Sequence, residues 1–250
     1  MGNPFAELTI FLPPAAIQTY IILMILAVAI GTVGDLLHKR SARFFSLRRR
    51  KSKAIAKRQL SGLEAASLAI RTLFKEVATS GEFCNRNRRI SHLLMFYGFL
   101  LYLVTTIVMV FSYLAPDKAT PVLLPVLWNL GAVMVLVGGY WFFFFIRVNV
   151  VYEQHSPLHL MRADLFIVLL LSSVTFALLW EIVQAAGNLT ATETVFGIYI
   201  LLTTLLFVSV PWSKFAHMFY KPAAAFQRRV EEANGASALP LPSDIRHEGS

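Results

Sequence analysis

Five stretches of this chain run for about twenty residues with hardly a formal charge, and they limit what it can fold into more than any other feature. They lie at 15–37, 90–114, 122–146, 163–186 and 194–212. A helix rises about 1.5 Å per residue, so roughly 20 residues cross a hydrocarbon core about 30 Å thick. Backbone groups left unpaired in lipid are so costly that runs of this length in a bilayer must be helical. The expectation is an all-α integral membrane protein with five transmembrane helices. Composition points the same way: of 250 residues 56% are hydrophobic and only 15% charged, too few charges for the surface of a soluble domain. The first stretch lacks a basic leader and is followed by a large positive segment, which argues against a cleaved signal peptide. Short links after the second and fourth stretches predict two antiparallel hairpins.

The basic residues orient the bundle. Of 23 Lys and Arg, 15 fall within 39–89, Arg147 and Arg162 bracket the link between the third and fourth spans, and five follow the fifth. Only Lys118 lies in a link on the opposite side, and no Lys or Arg precedes the first span. The positive-inside rule then places the N-terminus outside and the C-terminus in the cytoplasm. The net charge of +9 is explained by topology, by anionic lipid or by an acidic partner surface, and nucleic acid is not expected as a partner. Trp128, Trp212 and Tyr220, near span ends, read as interfacial anchors. Cys84 is alone, so neither a disulfide framework nor a four-cysteine iron–sulfur cluster can form within the chain. The domain division is 1–222 for the five-span membrane domain, including the basic 39–89 segment, and 223–250 for a polar cytoplasmic tail expected to be disordered.

Within the basic segment, LSGLEAASLAIRTLFKEV puts Leu63, Ala66, Ile70, Leu73 and Val77 near one helical face. That pattern fits an amphipathic helix on the membrane surface or against a partner, or a surface helix that only spaces the first two spans.

Five of the six histidines sit near the cytoplasmic boundary: His38 ends the first span, His92 opens the second, His155 and His159 precede the fourth, and His217 follows the fifth. Haem b needs axial imidazoles, usually one from each of two facing helices, in an apolar pocket. His92 and His217 lie at one depth on different helices and form the candidate ligand pair; pairs that include His38, His155 or His159 are also geometrically open. Gly98 and Gly138–Gly139 are positions where a flat macrocycle can approach the backbone, and Arg88, Arg89 and Lys214 share the depth expected of propionate partners. Asp35, Asp164 and Glu181 are the membrane-associated carboxylates, and all lie near span ends. A proton-coupled transporter would place an acid nearer mid-span.

Five spans, an outside N-terminus, a histidine opening the second span in RRISHLLMFYGFLLYLVTT and the sequence PWSKFAHMFYKP closing the fifth together resemble the membrane-anchor subunit of the respiratory nitrate reductase superfamily. The long basic insert and short carboxy tail are most similar to the membrane anchor of adenylylsulfate reductase. The resemblance covers roughly 15–222, and P-x-S-K-F-x-H-M is its most specific part. It implies a multi-pass subunit of the bacterial inner membrane. Such a subunit carries electrons between the quinone pool and a cytoplasmic flavin or iron–sulfur oxidoreductase through b-type haem, and is not itself the catalytic subunit.

The family pattern has two ligand histidines ten residues apart in the second span and two eighteen apart in the fifth. Here His92 and His217 match one pair, while Tyr102 and Tyr199 stand at the positions of the other. The resemblance therefore implies a single haem b, on the cytoplasmic side. Asp35, His38, His155 and His159 are the polar groups at that depth suited to exchanging protons with a quinone. Two other functions fit the chain less closely: a haem-free docking subunit and a small transporter.

Overall fold

The computed structural model describes residues 2–38, 41–79, 85–115, 118–147, 160, 164–210 and 217–236; for 35–38, 41–46, 75–77 and 217–221 it describes the backbone alone. Every regular element among the described residues is helical, and five helices are long and apolar enough to cross a membrane. Their segments are Pro14–Gly34, Arg86–Ser112, Leu123–Ile146, Leu165–Ala185 and Leu189–Ser209. The last begins five residues before the sequence-based estimate, because the Asn188 side chain caps it by accepting the backbone N–H of Ala191 at 3.1 Å.

The chain forms two compact units, Met1–Thr32 with Phe83–Phe215, and Val33–Glu82 with Ala216–Ser250. In the first, a single turn α1 (Pro4–Glu7) precedes the long helix α2 (Pro14–His38), whose last residues belong to the second unit. There follow α5 (Arg86–Ser112), α6 (Leu123–Trp141, continued by a wide π turn Phe142–Ile146), α7 (Leu165–Ala185) and α8 (Leu189–Ser209). The labels α3 and α4 belong to Ser41–Ile55 and Gly62–Thr72 of the second unit, which also holds α9 (His217–Ala233).

The first unit is built from two hairpins. In α5–α6 the helices meet along glycines. A Cβ on Gly98 would stand 2.8 Å from the Gly131 carbonyl oxygen, one on Gly131 would stand 2.7 Å from the Tyr102 nitrogen, and one on Gly138 would stand 2.8 Å from the Ser91 carbonyl oxygen. Backbones packed this closely gain dispersion contacts along the whole seam. The Ser91 hydroxyl adds a cross-helix bond, donating to the Gly138 carbonyl at 2.9 Å. The α7–α8 hairpin turns at Gly187, whose φ of 74° is a conformation that a Cβ would strain.

By contrast α2 is peripheral. Only 6% of its most apolar window is buried, against 33% for α5. It is held by buried Ile17, by Gln18 donating to the Val110 carbonyl at 3.3 Å, and by a Tyr20–Thr204 hydroxyl pair at 3.0 Å. At the far end α1 is wedged into the bundle: the Asn3 amide donates to the Tyr113 carbonyl at 3.0 Å, and Phe5 packs on Trp128 and Trp180.

The second unit joins α3, α4 and α9. Ser61 and Glu64 form a reciprocal cap at the start of α4, which continues as the wide turn Leu73–Ala78. The Asn234 carbonyl accepts the N–H groups of Lys57 and Arg58, and its side-chain amide donates to the Ser52 hydroxyl at 3.1 Å. Arg48 grips Glu231 through two nitrogens, at 2.8 and 2.7 Å. Residues 223–233, at the start of the polar stretch read as a tail, are thus the second half of α9. Its polar side chains have partners in α3 and α4, including a donation from Arg229 to the Thr72 hydroxyl at 3.2 Å. Residues 237–250, with His247, lie outside the described residues.

Candidate functional site

His92 stands in the second turn of α5, where the charged start of the helix gives way to its apolar length. Its side chain is half-buried, and its ring lies nearly parallel to that of Phe96, with centroids 6.4 Å apart and planes 5° apart. One turn earlier, exposed Arg88 reaches across the hairpin and donates to the Ile146 carbonyl at 3.3 Å, tying the start of α5 to the end of α6. Arg89 is exposed beside it.

At this same end Arg147 and Asp164 form an ion pair with side chains only 6% and 5% exposed, and the Arg147 guanidinium also lies over the Phe143 ring, 4.5 Å from its centre. The pair joins the last turn of α6 to the first residue before α7. Sequence placed both residues at span ends but held no sign that they meet, since the link between them has no regular pattern.

The other expected site residues are distributed as follows. His217 opens α9 of the second unit and Asp35 and His38 end α2, all three with backbone alone described. His155, His159 and Lys214 lie outside the described residues. Of the nine, the structure therefore describes the side chains of His92, Arg88 and Arg89, which share the first turns of α5. The glycines have a different use from the one expected. Gly98 and Gly138 are closed off by the facing helix, and Gly139 faces Leu171 and Met95, so the room they create is filled by protein.

Ten residues along α5 from His92, about 15 Å of helix, the architecture changes. Tyr102 and Tyr199 point at each other from α5 and α8, with hydroxyl oxygens 3.0 Å apart, and both are buried. Tyr102 stacks on Trp128 at 5.1 Å, and Tyr199 stacks on Trp180 at 5.8 Å with planes 7° apart. Both tryptophans are fully buried, and the Trp128 indole N–H donates to the Thr106 hydroxyl at 2.9 Å. Trp128 is therefore a core residue and not the interfacial anchor its place near a span end suggested; its hydrogen bond and its stacking both need the interior. Trp212 lies outside the described residues, and Tyr220 is described only in its backbone. Thr203 and Ser173 extend the polar interior with a hydroxyl pair at 2.7 Å.

Beyond this layer a cavity of about 330 Å³ opens between α1, α6 and α7, with Glu7, Asn129, Glu181 and Gln184 in its wall. These groups engage one another: Asn129 donates to Glu181 at 3.0 Å, and Gln184 donates to Glu7 at 2.6 Å. Among the described residues no group of three or more His, Cys, Asp or Glu is arranged to hold a metal ion. No family model, no curated protein and no solved structure matches this chain.

Proposed function

We propose that the chain is the membrane anchor and electron-transfer subunit of a complex, most similar to the adenylylsulfate reductase anchor, that links a cytoplasmic flavin or iron–sulfur oxidoreductase to membrane quinone. In this reading the five apolar helices span the bacterial inner membrane, with the N-terminus outside and the C-terminus in the cytoplasm. The observation that carries it is the Tyr102–Tyr199 contact. The resemblance pairs those two positions across the second and fifth spans, and in the structure they meet, hydroxyl to hydroxyl. A register in which these helices face each other is what the resemblance requires, and it was not implied by hydropathy.

His92 and His217 would hold one haem b on the cytoplasmic side, with Arg88, Arg89 and Lys214 near its propionates. The half-buried His92 ring beside Phe96 would suit an iron ligand, which must stay neutral to bind. Bound there, the haem supplies one-electron transfer between the soluble partner and quinone. The chain's own residues do the rest: the two imidazoles would fix the iron and tune its potential. Asp35, His38, His155 and His159 would exchange protons with the quinone headgroup, and the basic cytoplasmic surface would hold the catalytic partner and anionic lipid.

A haem-free docking subunit is the second reading, and one observation favours it: Gly98 and Gly138, which seemed open to a macrocycle, are occupied by helix packing. The deciding measurement is a reduced-minus-oxidised spectrum with a pyridine haemochrome assay on the full chain expressed with ample haem. One haem b per chain, lost in both His92→Ala and His217→Ala, is expected. Colourless protein that still retains its soluble partner would establish the docking subunit instead.

A further inference from the structure

Within the second unit an apolar ridge is left uncovered by the unit's described residues. Leu63, Ile70 and Phe74 are 86%, 68% and 67% exposed, and Ala66 and Leu73 are exposed beside them. Their spacing places them on one side of α4 and the turn that continues it. Thr72, on the opposite side, is buried and accepts a hydrogen bond from Arg229 of α9. The helix is therefore fixed to its unit by the side that carries Thr72 and half-buried Leu68, with Leu63, Ile70, Leu73 and Phe74 turned away. The Val77 side chain lies outside the described residues.

We propose that this ridge lies in the headgroup region of the chain's own bilayer, bound to anionic phospholipid. The proposal rests on the five helices being membrane spans and is independent of any haem. Charge is the first support. The described carboxylates of this unit are each engaged by an arginine, Glu64 by Arg58, Glu231 by Arg48 and Glu232 by Arg228. Arg49, Arg50, Lys51, Lys53, Lys57 and Arg71 are exposed and leave the unit's surface positive. An acidic lipid surface complements that charge, and each lysine or arginine near it adds about 1 kcal/mol.

Reach is the second support. The turn that ends at Ala78 is followed by the first residue of the α5 span, Arg86, after eight residue steps. At about 3.5 Å per step Ala78, where the turn that continues the ridge ends, is tethered within roughly 28 Å of a span end. Apolar side chains exposed at that range gain about 25 cal/mol per Å² by leaving water for the acyl boundary. A soluble partner with an acidic surface would meet the same charge, and the short tether from Ala78 to a span end is what favours the bilayer.

Nitroxide accessibility tests this on the full chain in lipid nanodiscs. In a Cys84→Ser background, single labels are placed at Leu63→Cys, Ile70→Cys, Phe74→Cys, at Lys53→Cys as an aqueous control, and at Ile22→Cys on the exposed side of α2. The labelled ridge positions are mostly exposed, so labelling them should leave the unit folded. In discs containing phosphatidylglycerol, the labels at 63, 70 and 74 should collide with oxygen and lose contact with a water-soluble nickel chelate. The label at 53 should stay open to nickel. Open ridge labels with a lipid-buried label at 22 would overturn the proposal alone. Shielding that appears only when the soluble partner is added would overturn it in favour of a protein-binding ridge. Equal shielding in pure phosphatidylcholine discs would remove the anionic requirement, and a nickel-accessible label at 22 would overturn the membrane reading itself.

Discussion

Two levels of one helix, ten residues apart on α5, are built on opposite principles. The level of Tyr102 is filled by the stacked rings of Tyr102, Trp128, Tyr199 and Trp180, and the two tyrosine hydroxyls meet each other. The level of His92 is polar and charged: Ser91 bonds across to Gly138, Arg88 holds the end of α6, and the Arg147–Asp164 pair joins α6 to α7. Rings can exclude a prosthetic group by occupying its volume. A level held by cations and an imidazole keeps the chemistry to bind one. Under the proposed function, one bundle would combine a half filled by its own rings with a half that holds a redox group.

The comparison predicts that the His92 end is the more vulnerable. Asp164→Asn leaves the Arg147 guanidinium buried opposite an uncharged amide, and loss of one partner from a buried pair costs about 3–5 kcal/mol. The purified variant should melt well below the parent in the same detergent. Replacing both residues by apolar ones of similar volume should restore much of that loss. An unchanged melting point for Asp164→Asn would mean that water already screens the pair, against its near-complete burial.

At the other level the expected loss is smaller. Tyr102→Phe removes one hydroxyl and leaves Tyr199 without that partner, a change of about 1–3 kcal/mol for a buried group. The stacking on Trp128 survives, because it depends on the ring. The same variant should leave any haem absorbance unchanged, since the proposed ligand His92 sits about 15 Å away along α5. A bleached spectrum in Tyr102→Phe would erase the distinction between the two levels, and so would a destabilisation larger than that of Asp164→Asn.

How far sequence reached follows from what each feature is made of. The five spans are written as long intervals without charge, so their existence and order are legible, and their ends shift only where a cap such as Asn188 acts. Which face of a span turns inward is not legible in that way, because lipid-facing and core-facing residues are equally apolar. Trp128 was misplaced for that reason. Gly98 and Gly138 were visible as small residues, but the backbone that approaches them was not. The meeting of Tyr102 with Tyr199 had no signal in periodicity. The α9 helix was hidden because Pro222 and a run of charges look like a tail; its order comes from Arg48 and Ser52, far away in sequence.

The weakest effect should come from a pair of the same chemistry in a different setting. Arg48 and Glu231 make the same kind of contact as Arg147 and Asp164, but with side chains 42% and 12% exposed. The Arg48 hydrogen bond holds the Glu231 carboxyl below its ordinary value of 4.5. A carboxyl lowered on folding stabilises the folded state above its unfolded pKa, and that contribution disappears as pH falls through the folded value. Amide protection in α9, taken relative to the intrinsic exchange rate at each pH, should therefore be steady from neutrality down to about pH 4.5 and fall below it, while Glu231→Gln should show the lower protection already at pH 7. For a pair this open the gain is about 1 kcal/mol or less, a fraction of what the buried pair supplies. If Glu231→Gln destabilised its unit as strongly as Asp164→Asn destabilises the bundle, burial would not be what separates the two pairs. The contrast between the ends of α5 would then need another cause.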